Sequence, residues 1–66
     1  MTPRLLNTLI MYYVYILKSL KDGFTYIGYT TDLDKRLYNH NSGLVLSTRL
    51  HKPYKFVYIE GYADKK

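Results

Sequence analysis

The sequence has no cysteine and no tryptophan, and it has only five acidic residues against ten lysines and arginines. Without cysteine there is no disulfide, thiolate metal site or redox pair, although small domains often depend on such crosslinks. A reducing, cytoplasmic location is therefore the default expectation. The 66 residues allow one small domain, and no apolar run is long enough to span a bilayer. We therefore expect neither a membrane protein nor a disulfide-stabilised scaffold.

Positive charge dominates what is present. The formal net charge is +5 and the isoelectric point is about 9.5. On so short a chain this balance favours a polyanionic partner, with nucleic acid first. Nine tyrosines contribute to an apolar share of 47%, which disfavours a disordered chain.

The chain divides into an N-terminal extension, residues 1–11, and a domain, residues 12–66. The extension loosely resembles a secretory leader, but Asn7 and Thr8 interrupt its apolar part and no small-residue cleavage site follows. We interpret it as a ragged extension or as the product of an upstream start codon.

Three segments rich in β-branched and aromatic residues predict strands at 12–17, 24–29 and 54–62. Asp22 and Gly23 form a turn signal between the first two, which indicates an antiparallel hairpin. The third strand follows an irregular basic connector, residues 44–53.

A short helix is predicted at 32–41. A threonine hydroxyl at 30–31 is available as the N-cap, and Asp32 places an acid in the first turn. Leu33 and Leu37 mark its buried side, and Gly43 suits the position that ends a helix. The result is a small α+β domain, with a three-stranded antiparallel sheet and β-β-α-β order. One helix covers one sheet face, so the bare second face predicts a homo-oligomer.

Four side chains suggest chemistry. Tyr15 and Tyr26 lie in adjacent predicted strands, while Arg36 and His40 are four apart on one side of the helix. Arginine can hold phosphate oxygens, and tyrosine or histidine can position or deprotonate a water. The set therefore indicates attack on a phosphodiester. Each residue alone has a simpler explanation, as a core aromatic, a solvated charge or a histidine favoured by the helix dipole.

The order and spacing of these residues resemble the GIY-YIG nuclease superfamily, especially its small bacterial single-domain members. Tyr13-Val14-Tyr15 corresponds to the first motif, with Tyr13 where the name has glycine, and Tyr26-Ile27-Gly28 matches the second. The segments 31–43 and 53–60 also have the family's character, so the likeness covers residues 11–66.

The resemblance implies a role for each residue. Tyr15 would position or activate water, supported by Tyr26; Arg36 would bind the scissile phosphate, and His40 would hydrogen-bond within the site. Gly28 would let the backbone turn tightly beside it. Relatives hold one Mg²⁺ through a glutamate on a helix after the third strand, and that residue is not found here. Glu60, the chain's only glutamate, precedes that point.

The basic residues near the predicted site are candidates for contact with nucleic-acid backbone, with a solubilising surface as the alternative: Lys35, Arg49, Lys52 and Lys55. The resemblance thus predicts a metal-dependent DNA endonuclease domain without its C-terminal helices, with weak or no activity and no metal ligand in this chain. The alternatives are a non-catalytic nucleic-acid-binding module and a truncated reading frame without a selected role.

Overall fold

A computed structural model describes residues 9–65 of the chain. Its elements run in chain order as β1 (Leu9–Ser19), β2 (Thr25–Thr30), α1 (Leu33–Asn41), a 3₁₀ turn (Arg49–His51) and β3 (Tyr54–Lys65). The strands form one antiparallel sheet in the order β2-β1-β3. The predicted α+β class and β-β-α-β order are confirmed.

β1 is the central strand and is longer than predicted. It starts at Leu9 rather than at residue 12, because residues 9–11 pair with the end of β3. β3 likewise continues past residue 62 to Lys65. Residues 1–8 of the predicted extension lie outside the described residues, and the predicted lack of C-terminal helices stays a prediction.

α1 begins and ends close to the predicted residues, but its N-cap differs. The Asp32 carboxylate accepts the Lys35 backbone N–H at 3.1 Å, so Asp32 is the cap and the threonine hydroxyl is not. Thr30 instead accepts from the Asp32 backbone N–H. Ser42 is the C-cap, and Gly43 follows with a φ of 83°, the left-handed geometry expected of a helix stop.

The core lies between the sheet and α1. Tyr15 and Leu17 of β1 are buried with Tyr54 of β3, and partly buried side chains pack around them: Tyr26, Leu33, Leu37 and Phe56. Alternation along β1 places Tyr15, Leu17 and Ser19 on the face that meets the helix. The leucine stripe of α1 therefore covers this face.

The opposite sheet face is open among the described residues. Ile27 is 68% exposed and Tyr29 is 72% exposed, and Tyr58 and Tyr62 of β3 are also exposed. Self-association through this face stays a prediction. Within residues 9–65 no helix has the length and apolar character needed to cross a bilayer.

Candidate functional site

The hydroxyl of Tyr15 lies at the centre of the candidate site. Arg36 donates a hydrogen bond from Nε to the Tyr15 hydroxyl at 3.2 Å, and Nε2 of His40 lies 3.1 Å from the same oxygen. Arg36 and His40 reach it together because they are one helical turn apart on α1. Side chains from β1 and α1 thus meet at one oxygen atom.

Tyr26 and Gly28 bring β2 to the same place. The Tyr26 ring lies 4.9 Å from the His40 ring and 6.3 Å from the Tyr15 ring, measured between centroids. Gly28 pairs with Tyr15 across the strands. A Cβ atom at Gly28 would lie 2.6 Å from the Tyr15 hydroxyl oxygen, so only glycine leaves room for that oxygen. The four predicted side chains are therefore brought together, with Gly28 beside them.

His40 has a further partner in Thr48. The Nδ1 atom of His40 lies 2.8 Å from Oγ1 of Thr48, and Tyr15, His40 and Thr48 are each 0% exposed. The hydroxyl of Tyr54 donates to the Thr48 carbonyl at 2.8 Å, and its ring packs on His40 edge to face. The buried His40 ring is therefore surrounded by its hydrogen-bond partners Tyr15 and Thr48 and by the rings of Tyr26 and Tyr54.

The electrostatics of the site keep its two buried groups neutral. Burial lowers the pKa of His40, and the nearby Arg36 charge lowers it further. Burial also raises the pKa of Tyr15, although the hydrogen bond and charge of Arg36 oppose this effect. The hydrogen bond to Tyr15 raises the pKa of Arg36, which stays cationic. At neutral pH the site therefore combines one cation with a neutral phenol and a neutral imidazole.

Arg36 is the member of the site that reaches two open clefts. One cleft, of about 580 Å³, is lined by Tyr26, Gly28 and Arg36 among others. The other, of about 310 Å³, is lined by Lys35, Asn39 and Arg36 among others. A ligand in either cleft would meet the guanidinium before it met the buried Tyr15.

The four basic residues predicted to contact nucleic acid lie only partly near this site. Lys35 lines the smaller cleft with Arg36. Lys52 and Arg49 are exposed and approach Gly43, just beyond the end of α1. Lys55 pairs with Lys18 and so lies on the sheet face opposite the helix, because directly paired residues share a face. The register therefore separates Lys55 from the site.

The described residues do not fit the Mg²⁺ ion that the family resemblance implies. Among the side chains that the structure describes, no group of three or more histidines, aspartates or glutamates could hold a metal. Glu60 pairs with Val14 on the sheet face opposite Tyr15, and it accepts a hydrogen bond from Tyr58. Asp32 is engaged as the helix cap. Among the side chains that the structure describes, no carboxylate hydrogen-bonds to Tyr15, Arg36 or His40.

Sequence reasoning missed Thr48, Tyr54 and Asn41. Asn41 makes two hydrogen bonds to the Tyr54 backbone, at 2.7 and 3.3 Å, which join the end of α1 to the start of β3. In the sequence Tyr54 is only the first residue of the third predicted strand. Thr48 gives no signal, since the adjacent hydroxyl residues Ser47 and Thr48 in a basic connector have many surface explanations.

Comparison with known proteins supports the resemblance. A family model described as the GIY-YIG catalytic domain matches residues 11–66. The UPF0213 protein of Streptococcus pneumoniae strain R6 is 47% identical over 55 residues, which cover 82% of this chain and 54% of that protein. The UPF0213 protein of Bacillus pumilus is 46% identical over 56 residues, which cover 83% of this chain and 56% of that protein.

A third relative, the UPF0213 protein of Clostridium perfringens, is 46% identical over 57 residues, covering 85% of this chain and 60% of that protein. The chain thus spans little more than half the length of the curated relatives it matches. No solved structure matches the chain.

Proposed function

The chain belongs to the GIY-YIG family, and from this premise we propose that it carries a nuclease-type site that hydrolyses DNA phosphodiester bonds. Family membership suggests a nuclease-type, metal-dependent domain acting on nucleic acid. The hydrolysis of DNA and the roles of individual residues are our proposal.

The observation that carries the proposal is the contact of Arg36 with both the buried Tyr15 hydroxyl and the open clefts. A guanidinium has five N–H donors in a planar fork that suits phosphate oxygens. In the free protein Arg36 donates from Nε to Tyr15, and its terminal nitrogens are available to a ligand in the clefts. Its positive charge would also offset the charge that builds on phosphorus-bound oxygens as water attacks.

The proposed step begins when Arg36 binds the scissile phosphate. Tyr15 is fully buried in the free protein, so water reaches its hydroxyl only after Arg36 turns toward the phosphate. Water then forms a bond to phosphorus, and the phosphorus–oxygen bond to the leaving group breaks in line. The proton lost by water passes to the Tyr15 oxygen while the Tyr15 proton passes to Nε2 of His40. The leaving oxygen takes a proton from solvent.

Tyr26 and Gly28 support this step without giving or taking a proton. The Tyr26 ring limits the space beside His40, and Gly28 leaves room for the Tyr15 hydroxyl. No step is assigned to Mg²⁺, because the described residues do not fit that ion.

A second function, nucleic-acid binding without cleavage, is favoured because the described side chains form no cluster of three or more metal ligands. Such a module would keep the Arg36 grip on phosphate and lack rapid hydrolysis. Its binding would be sequence-independent and would weaken as salt rises, since backbone contacts release counterions.

The test compares Arg36→Ala with Lys55→Ala. Both variants lose one positive charge, but the register places Lys55 on the sheet face away from Tyr15. Purified chain is incubated with labelled branched and duplex DNA, with Mg²⁺ or with a chelator, and both cleavage and binding are measured. We expect Arg36→Ala to lose cleavage, and Lys55→Ala to keep most of it.

Each outcome separates the candidates. Binding that depends on Arg36, without cleavage by the wild-type chain, favours the binding module. Equal losses in the two variants would show that general charge, and not the Tyr15 site, attracts DNA. If neither binding nor cleavage responds to Arg36→Ala, both functions are refuted.

A further inference from the structure

We infer that Thr48 is a positioning residue: it fixes the neutral tautomer of His40 with the proton on Nδ1, so that Nε2 faces the Tyr15 hydroxyl as a hydrogen-bond acceptor. The role of Thr48 in catalysis depends on the proposed function, whereas the tautomer itself does not.

Two groups around His40 have a fixed role in hydrogen bonding, Arg36 as a donor and the Val45 carbonyl as an acceptor. Arg36 can only donate, so the Tyr15 oxygen accepts from its Nε. The Val45 carbonyl can only accept, and it lies 3.4 Å from Oγ1 of Thr48. A Thr48 hydroxyl that donates to Val45 has its oxygen free to accept from Nδ1–H of His40. Nε2 is then unprotonated and accepts from the Tyr15 hydroxyl.

The other tautomer leaves a buried donor without a partner. If Nε2 carried the proton, the Tyr15 oxygen would accept from both His40 and Arg36. Its own hydroxyl proton would then have no acceptor among the described groups, although Tyr15 is fully buried. An unsatisfied buried donor is costly, so the first arrangement is favoured.

Thr48 is held in place by contacts that do not involve His40. Its carbonyl accepts from the Tyr54 hydroxyl at 2.8 Å and from the His51 backbone N–H at 3.1 Å. The His51 ring stacks on Phe24 at a centroid distance of 4.1 Å, and its carbonyl accepts from the Ser19 hydroxyl. The connector thus anchors Thr48 to the rest of the fold, and the histidine orients against it.

In the proposed reaction this tautomer sets the direction of proton transfer, from the Tyr15 hydroxyl to His40. The relay requires an unprotonated Nε2 to take the Tyr15 proton, and the Thr48 bond keeps the imidazole proton on the other nitrogen. Loss of the hydroxyl would let the tautomers mix and would lower kcat about tenfold, equivalent to about 1.4 kcal/mol, with little change in KM.

The test is an NMR measurement of ring-nitrogen protonation on ¹⁵N-histidine-labelled chain at pH above neutrality, without substrate. We expect wild type and Thr48→Ser to show an Nδ1–H, unprotonated Nε2 pattern for His40. In Thr48→Val the two nitrogen shifts should move toward each other or exchange places. His51, the other histidine, is partly exposed and bonded to Asp22, so its signals serve as an internal control.

Wild-type His40 with its proton on Nε2 would overturn the inference, even if Thr48→Val fails to fold. An unchanged tautomer in a folded Thr48→Val would also overturn it. A tautomer that changes in Thr48→Val, in a chain that cleaves no DNA, would support the positioning role and refute the nuclease activity. Cleavage lowered in Thr48→Val and restored in Thr48→Ser would support both.

Discussion

Replacing Gly28 with alanine should displace Tyr15 and destabilise the fold. The added Cβ would lie 2.6 Å from the Tyr15 hydroxyl oxygen and 2.8 Å from Cζ, whereas ordinary contacts begin at 3.4 Å. The oxygen must therefore retreat by about 0.8 Å. It is hydrogen-bonded to Arg36 and His40 at 3.2 and 3.1 Å, so such a shift weakens both bonds.

Overpacking of this kind lowers the free energy of unfolding by about 1–3 kcal/mol. Alanine offsets about 0.5–1 kcal/mol of this loss, because it loses less conformational entropy than glycine when it is fixed in a strand. The middle of each range leaves a net loss of about 1 kcal/mol, which lowers the melting temperature of a domain this small by about 4–8 °C. Thermal unfolding followed by circular dichroism measures this change.

Gly61→Ala is the matched control, because Gly61 also lies in an edge strand. A Cβ there would meet Met11 and Tyr13 side-chain atoms at 3.3 Å, and these outer groups can shift. We expect its stability to stay within about 0.5 kcal/mol of wild type. In a Tyr15→Phe background the cost of Gly28→Ala should fall, since the nearest clashing atom is gone. Equal melting temperatures for Gly28→Ala and Gly61→Ala, or no coupling to Tyr15, would refute the reasoning.

Three further outcomes follow from the described charges and surfaces. The pKa of His40 in the folded chain lies below its ordinary 6.5, so the unfolded chain takes up a proton first and stability should decline as pH falls through 6.5. The midpoint of urea unfolding measures this decline, which should be smaller in His40→Gln. The hydrogen bond from His51 lowers the pKa of Asp22 from 3.8 to about 2, so the stability that the Asp22 carboxylate contributes is present above pH 3.8 and is lost as pH falls toward 2. In Asp22→Asn, chemical denaturation should therefore show a smaller loss of stability over this pH range. Light scattering should find a dimer or larger assembly, and a monodisperse 7.9 kDa monomer would contradict self-association through the open sheet face.

The elements that could be predicted from the sequence are those with local causes. The strand in β1 follows from consecutive β-branched and aromatic residues, and α1 follows from its leucine spacing and from Gly43 beyond its end. These signals act over a few residues, so the fold and the placement of Arg36 and His40 on one side of the helix can be predicted from the sequence. The N-cap was wrong in detail because Thr30 and Asp32 both offer capping oxygens, and only the backbone geometry decides between them.

From the sequence, Tyr15 is either a core aromatic or a site residue; in the structure it is a core residue that also contacts the site groups. Its ring packs edge to face on Phe56, while its hydroxyl bonds to Arg36 and His40. The amphipathic nature of tyrosine allows both, because the ring and the hydroxyl are satisfied separately. Substitutions of Tyr15 must therefore be judged for stability before any effect on activity is assigned to chemistry.

The position of Glu60 depends on one irregular residue that no local pattern reveals. Alternation from Tyr54 and Phe56, which lie toward the helix, would also place Glu60 on that face. A bulge between the pairs Leu17–Phe56 and Ile16–Tyr58 inserts Val57 and shifts the alternation by one residue. A shift of one residue exchanges the faces of every later side chain in a strand. Glu60 consequently lies on the sheet face opposite Tyr15, so the sheet itself separates the chain's only glutamate from the site.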